Sequence, residues 1–330
     1  MSRKILITGA AGFIGFHTAK RLLSEGFHVV GIDNLNDYYS VQLKYDRLNQ
    51  LKKFDSFSFH SIDIDNPIAL SDCLADYTID DVIHLAAQAG VRYSIDNPQA
   101  YGRSNLIGFL NILEWVRSHP VDHFIYASSS SVYGNTERVP FSTNATADKP
   151  VSLYAATKRA NELMAESYSH LYNIPATGLR FFTVYGPYGR PDMAPMKFAK
   201  QIMQGGQIDV YNHGDLSRDF TFIDDIVEGI YRLLDKPIQT QSEGARHRVL
   251  NIGRGEPVNL LKFIEILESA FEKPVKKRYL PMQDGDVSTT WADVTELSKI
   301  TGYSPQVDIE SGIQKFAEWY KKYNAHGQLA

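Results

Sequence analysis

The amino-terminal strand–glycine–helix unit constrains the fold more than any other stretch of this chain. Ile5-Leu6-Ile7-Thr8 is a short apolar run that stops at Gly9-Ala10-Ala11-Gly12-Phe13-Ile14-Gly15, and residues 16–24 then carry a helical pattern. A buried strand, a glycine-rich turn and a helix, in that order, form a cradle for a pyrophosphate. Glycines let the backbone come close to the ligand, and the helix N-terminus presents free N–H groups with a partial positive charge. The spacing is Gly-x-x-Gly-x-x-Gly, and a glycine-rich turn alone also marks plain loops. Its position directly after the first strand favours the ligand-binding reading, with Phe13 and Ile14 carried along at the helix start.

The alternation then continues. A second strand over residues 27–32 ends at Asp33 and Asn34. An acid at that strand end accepts hydrogen bonds from ribose hydroxyls and repels a 2′-phosphate, which favours NAD over NADP. A mixed-charge helix is expected over residues 41–53, and a third strand over residues 58–62 meets Asp63-Ile64, a place to hold an adenine. Residues 81–88 read as a fourth strand running into Leu85-Ala86-Ala87, small residues that serve either close passage of a cofactor or simply tight packing, with His84 a satisfied core histidine. A helix over residues 100–118, a strand over 124–127 and another over 176–182 complete the pattern. Strands alternating with helices of this length predict an α/β protein, a Rossmann-type doubly wound parallel sheet whose ligands bind beyond the carboxyl ends of the strands. Near residue 180 the rhythm changes as Pro and Gly cluster. The expected organisation is therefore a first domain over 1–180 and a smaller C-terminal α/β substrate domain over 181–330, with the segment 219–235 packed back on the first.

Composition narrows the partners. A net charge of −4 argues against nucleic acid or an anionic membrane surface. The one cysteine, Cys73, excludes an intramolecular disulfide and a cysteine-rich metal site, and no metal is expected. Met1-Ser2-Arg3-Lys4 passes straight into the first strand with no apolar signal region, so the cytosol is the expected compartment.

Two stretches carry chemistry. Ser128-Ser129-Ser130-Ser131 stands at the ligand edge of the 124–127 strand, where a hydroxyl can hydrogen-bond a reacting hydroxyl or oxyanion. Tyr154-Ala155-Ala156-Thr157-Lys158 opens a helix, which sets the phenol and the ammonium on one face. A nearby cation stabilises a phenolate and is expected to lower the Tyr154 pKa, giving a general base near neutral pH. Farther on, Arg218 suits either a diphosphate oxygen or a surface salt bridge. Lys276-Lys277-Arg278 reads as a solvated charge run, and Asp284-Gly285-Asp286 as a turn with a ligand option.

Together, Gly9, Gly12 and Gly15, then Asp33, Asp63-Ile64, Leu85-Ala86-Ala87, the serine run and Tyr154 with Lys158 resemble the extended short-chain dehydrogenase/reductase family, the NAD-dependent nucleotide-sugar epimerases and dehydratases. The resemblance implies a bound NAD, with Lys158 on the nicotinamide ribose, Ser129 as the catalytic serine and Asn105 as a buried active-site asparagine counted with the cofactor residues. It further implies a UDP-sugar substrate, with Arg218 on the diphosphate and Arg92 and Asp286 among the substrate residues. It also implies a homodimer made by helices starting near residues 100 and 151. Dehydratases of the family carry an Asp-Glu pair after the catalytic threonine, and UDP-glucuronate decarboxylases a nearby glutamate. Here Ser130 and Ser131 stand there and cannot act as acid or base near pH 7. With Thr183 where UDP-glucose epimerases usually have asparagine, the chain looks most like members that epimerise UDP-glucuronate to UDP-galacturonate at C4. A sugar carboxylate would then be met by Arg190, Thr183, Ser130 and Ser131. A UDP-glucose/UDP-galactose 4-epimerase is the alternative, and a UDP-glucuronate decarboxylase a more distant one.

Overall fold

The computed structural model describes residues 2–136, 138–239, 245–283 and 287–325. The strands are β1 (Lys4–Thr8), β2 (His28–Asp33), β3 (Phe57–Ser61), β4 (Asp81–His84), β5 (His123–Ser129), β6 (Ala176–Phe181), β7 (Thr183–Tyr185), β8 (Gln207–Val210), β9 (Ser217–Phe222), β10 (His247–Ile252), β11 (Pro257–Asn259) and β12 (Lys276–Tyr279). The first helices are α1 (Phe13–Ser24), α2 (Val41–Leu51), α3 (Pro67–Leu74), α4 (Tyr93–Asp96), α5 (Pro98–Tyr101), α6 (Gly108–Ser118) and α7 (Leu153–Tyr172). They are followed by α8 (Ala194–Gln204), α9 (Ile223–Leu233), α10 (Leu260–Phe271), α11 (Thr295–Thr301) and α12 (Ile309–Ala325).

Seven strands form one parallel sheet in the order β10-β6-β5-β4-β1-β2-β3. Strand β1 is buried on both faces. Ile5 and Ile7 join a core with α1 and α9, while Leu6 joins the opposite core with α3, α6 and α7, as a parallel sheet covered on both sides requires. The chain steps outward one way from β1 through β2 to β3 and the other way from β4 onward. The order therefore reverses between β1 and β4, and a crevice opens at their carboxyl ends. The segment after β9 returns to this sheet. On α9, Ile226, Ile230 and Leu233 pack with Phe16, Ala19 and Leu22 of α1, and β10 adds beside β6. A third core joins β7, β9, α8, α10 and α12, and Phe13 at the start of α1 reaches into it.

Several boundaries differ from the sequence reading. Helix α1 begins at Phe13 rather than 16, so Gly15 is already helical. The expected helix over 100–118 is broken: residues Gly102–Ile107 form a π-helical segment between α5 and α6. There the Asn105 carbonyl accepts from the Asn161 amide at 2.6 Å, a cross-helix partner that local periodicity does not reveal. The charge run Lys276-Lys277-Arg278 forms β12, largely exposed and paired parallel with β8. Its charges are matched by Glu268 at 2.7 Å from Lys277 and Asp209 at 2.7 Å from Arg278. Among the described residues, no helix is long and apolar enough to cross a membrane.

Candidate active site

At the β1/β4 crevice lies a cavity of about 350 Å³. One wall is the glycine turn. Gly9 has φ +74°, and a Cβ there would stand 2.8 Å from the Ala86 nitrogen, so the turn and the Leu85-Ala86-Ala87 segment approach only because both are small. At Gly15 a Cβ would fall 2.1 Å from the Gly9 carbonyl oxygen. Gly12 caps α1 without a side chain, and Phe13, Ile14 and Gly15 line the cavity in the first turn. Asp33 is locked to this turn, accepting from the Ala11 N–H at 3.1 Å and from the Leu35 N–H at 2.9 Å. Burial raises its pKa, against the pull of Lys44, those N–H groups and Arg47. The Asn34 amide donates to Asp63 at 2.8 Å, joining the ends of β2 and β3, and Ile64 lines the same wall. An uncapped helix start, a fixed acid and small residues opposite fit a dinucleotide, with the acid at the ribose end and the turn at its phosphates.

The other wall holds the reactive side chains. Ser152 caps α7, its hydroxyl accepting from the Ala155 N–H at 3.1 Å, and this sets Tyr154 and Lys158 one turn apart on the cavity. The Tyr154 ring meets Tyr101 edge-on at 6.1 Å, and the Ser129 hydroxyl, which bears on the phenol, donates to the Ser131 hydroxyl at 3.2 Å. Ser129 closes β5 and caps the short 3₁₀ turn Ser130–Tyr133, accepting from the Ser131 N–H at 3.2 Å. Ser130, Ser131, Thr183 at the start of β7 and Arg190 complete the wall.

The electrostatics differ from expectation at one point. Burial pushes the Tyr154 phenol up, and the groups pulling it back are Ser129 and Arg190 rather than Lys158. The reason is geometric. The Lys158 ammonium donates to the Ala127 carbonyl on β5 at 2.9 Å, and burial brings its own pKa down to about 8.

Not every expected residue faces the cavity. Asn105 is buried behind the wall: its side chain accepts from the Gln88 N–H at 2.8 Å and donates to the Gln88 carbonyl and to Thr157, both at 3.0 Å. It thus braces the segment after β4. Arg92 lies over the Tyr211 ring at 5.4 Å, and Arg218 in β9 donates to the carbonyls of Ser217 and Ser288 at 3.0 and 3.1 Å. Neither is among the described residues of the cavity wall. Asp286 lies outside the described residues. His84 is a buried core histidine, paired with the Thr8 hydroxyl at 2.8 Å.

The sequence reading gave no role to Lys44 and Arg47. Lys44 lines the cavity and donates to the Asn36 carbonyl at 2.6 Å. Arg47 is fully buried and donates to the Ala11 carbonyl at 2.8 Å and the Tyr188 carbonyl at 2.6 Å, tying the glycine turn to the loop that carries Arg190. The available signal was their spacing, which puts both on the α2 face of Leu43, Leu48 and Leu51.

A switch-point cleft with a nucleotide cradle on one side and a Tyr–Lys pair with a serine turn on the other is the architecture of a dinucleotide-binding enzyme. A family profile described as GDP-mannose 4,6 dehydratase matches residues 6–316, and the chain belongs to that family, within the extended short-chain dehydrogenase/reductases that act on nucleotide sugars. It is 51% identical over 97% of its length to Protein CapI of Staphylococcus aureus, covering 99% of that protein. It is 47% identical to a probable UDP-glucuronate 4-epimerase of Rhizobium meliloti, covering 96% of each chain. A solved structure of UDP-glucuronic acid 4-epimerase from Bacillus cereus, in complex with UDP-glucuronic acid and NAD, superposes with a TM-score of 0.88 at 36% identity, covering 97% of this chain and 99% of that one.

Proposed function

We propose that this protein is a UDP-glucuronate 4-epimerase that interconverts UDP-glucuronate and UDP-galacturonate by transient oxidation at C4. The observation that carries this reading is one cavity wall on which Tyr154, Ser129, Thr183 and Arg190 meet, with serines at 130 and 131. The family profile bears a dehydratase description, but elimination needs a second acid or base next to the catalytic hydroxyl, and Ser130 and Ser131 do not supply one.

NAD, when bound, supplies the two-electron acceptor at C4 and returns the hydride to the opposite face of the sugar. The glycine turn with Phe13 and Ile14 holds its phosphates, Asp33 and Asn34 its ribose, Asp63 and Ile64 its adenine, and Lys158 its nicotinamide ribose, while Asn105 braces the wall. Tyr154 takes the proton of the C4 hydroxyl, which Ser129 orients, and gives it back in the second half of the reaction. Arg190, Thr183, Ser130 and Ser131 hold the sugar carboxylate, and Arg92, Arg218 and Asp286 take the UDP end. The 4-keto sugar is a β-keto acid prone to lose CO₂. Fixing its carboxylate, with no acid at residues 130 and 131, suppresses that loss.

Residues 1–180 then serve as the NAD-binding domain and residues 181–330 as the UDP-sugar domain, with α9 and β10 returned to the first sheet. The protein works in the cytoplasm as a homodimer. Ile107 next to α6, Leu110 on it, and Leu163 and Leu171 on α7 are exposed apolar side chains on neighbouring helices, which supports pairing through that face.

A second reading, a UDP-glucose/UDP-galactose 4-epimerase, is favoured by one observation: Arg190 already has a carboxylate partner in Asp192, 2.6 Å away, which a neutral sugar would leave undisturbed. Incubating the protein with UDP-glucuronate and, separately, UDP-glucose and following products by NMR decides between them. UDP-galacturonate as the dominant product is expected. Turnover confined to the neutral sugar would replace the first reading with the second, and dominant UDP-pentose would mean a decarboxylase.

A further inference from the structure

The group that would receive a sugar carboxylate is already bound to one. Arg190 donates to Asp192 through Nε at 3.1 Å and Nη2 at 2.6 Å, the two-pronged geometry that suits a guanidinium and a carboxylate. The Tyr38 hydroxyl donates to the same carboxylate at 3.0 Å. Tyr38 belongs to the loop after β2, with its ring tilted against Tyr93 at 4.6 Å, and it lines the cavity along with Arg190. Burial alone would raise the Asp192 pKa, but Arg190 and Tyr38 hold it below the usual carboxylate range, so Asp192 is charged at neutral pH.

We propose that Asp192 is an internal counter-carboxylate that Arg190 exchanges for the carboxylate of the substrate, with Tyr38 retaining Asp192 when the guanidinium leaves, and that this exchange sets the preference between uronate and neutral sugars. The proposal rests on the reading of the cavity as a UDP-sugar site. Swapping one charge-assisted pair for another is close to balanced, so the exchange is reversible on binding. A neutral hydroxymethyl group offers the guanidinium no charge, and Arg190 then stays on Asp192. Uronate affinity is therefore lowered by the pair that has to open, whereas hexose affinity is not. Tyr38 acts in the opposite sense: its hydroxyl satisfies Asp192 after the guanidinium leaves, and without it a half-buried carboxylate would be left unpartnered. Asp192 and Tyr38 are specificity-determining residues on this account, not catalytic ones.

The test is calorimetric titration of the NAD-loaded protein with UDP-glucuronate and with UDP-glucose, for the natural chain, Asp192→Asn, Tyr38→Phe and the double variant. Asp192→Asn should bind UDP-glucuronate about tenfold more tightly, while UDP-glucose changes by less than about twofold. Tyr38→Phe should weaken UDP-glucuronate alone by about threefold, and that effect should vanish in the double variant. Opposite signs in the two single variants cannot come from a shared loss of loop structure. Weaker UDP-glucuronate binding in Asp192→Asn would make Asp192 an orienting group and overturn the exchange, as would equal changes for both ligands or no change. Turnover by the natural chain is read separately. If it epimerises UDP-glucuronate while selectivity is unmoved by Asp192→Asn, only the exchange falls; if it does not, the epimerase reading falls and takes the exchange with it.

Discussion

Tyr154 and Lys158 show how far a residue's chemistry depends on what surrounds it. Their spacing places them one helical turn apart, yet Lys158 is turned to the Ala127 carbonyl and the phenol is tuned by Ser129 and Arg190, which come from other parts of the chain. Lys158 is 3% exposed, and burial brings its pKa from 10.5 to about 8. Between those two values the unfolded chain holds a proton that the folded one has released, so this residue's contribution to stability rises with pH across that window. Below about 8 the penalty for burying the ammonium is present in full. Lys158→Met should therefore be more stable than the natural chain at pH 7 by about 1–2 kcal/mol, with the gap narrowing toward pH 9, while turnover is lost. Denaturant unfolding at the two pH values checks this; an equal or larger gap at pH 9 would contradict it. Arg190 stood out in the sequence as a candidate anion ligand. Its partner Asp192 did not, because a pair two residues apart in a loop has no periodic signature.

At the scale of elements, the strands and the glycine turn were legible because each is a local pattern: an apolar run, a cluster of small residues, an acid at a strand end. What was not legible depends on distant partners. The π-helical break at Gly102–Ile107 answers to Asn161 on another helix, and β12 is a strand only because β8 lies beside it. The helix of Lys44 and Arg47 read only as mixed in charge, although their spacing places both on its buried face. The strongest of these hidden ties sits behind the serine turn. Glu162 on α7 accepts from Arg180 on β6 through both oxygens at 2.8 Å and from the Ser128 hydroxyl at 2.6 Å. Burial would raise the Glu162 carboxyl, but Arg180, Ser128 and Arg159 outweigh it and hold it below the ordinary value. Glu162→Gln leaves the Arg180 charge buried without its counterion and should lower stability by about 3–5 kcal/mol at pH 7. Because the carboxylate is the stabilising form, the difference from the natural chain should shrink as pH falls below the usual glutamate range. An unfolding free energy within about 0.5 kcal/mol of the natural chain at pH 7 would show that the pair does not stabilise the fold in this way.

For the whole molecule, the seven-strand sheet fixes where chemistry can happen, and the returning elements join the second half of the chain to it, α9 against α1 behind the glycine turn and β10 beside β6. The exposed leucines of α6 and α7 bear on assembly. Leu163 is 56% exposed and Leu171 63%, so Leu163→Arg should convert a dimer into a monomer in light scattering at micromolar concentration without unfolding it. A dimer mass in the variant would place the interface elsewhere, and a monomer mass in the natural chain would contradict the proposed dimer. The central claim is oxidation at C4 and return of the same hydrogen to the other face, with nothing removed from the neighbouring carbons. UDP-glucuronate carrying deuterium at C4, turned over in ordinary water, tests this most directly by NMR. The expected product is UDP-galacturonate that keeps its deuterium at C4, with no UDP-pentose formed; deuterium lost from C4 to the solvent, or UDP-pentose as the dominant product, would contradict it.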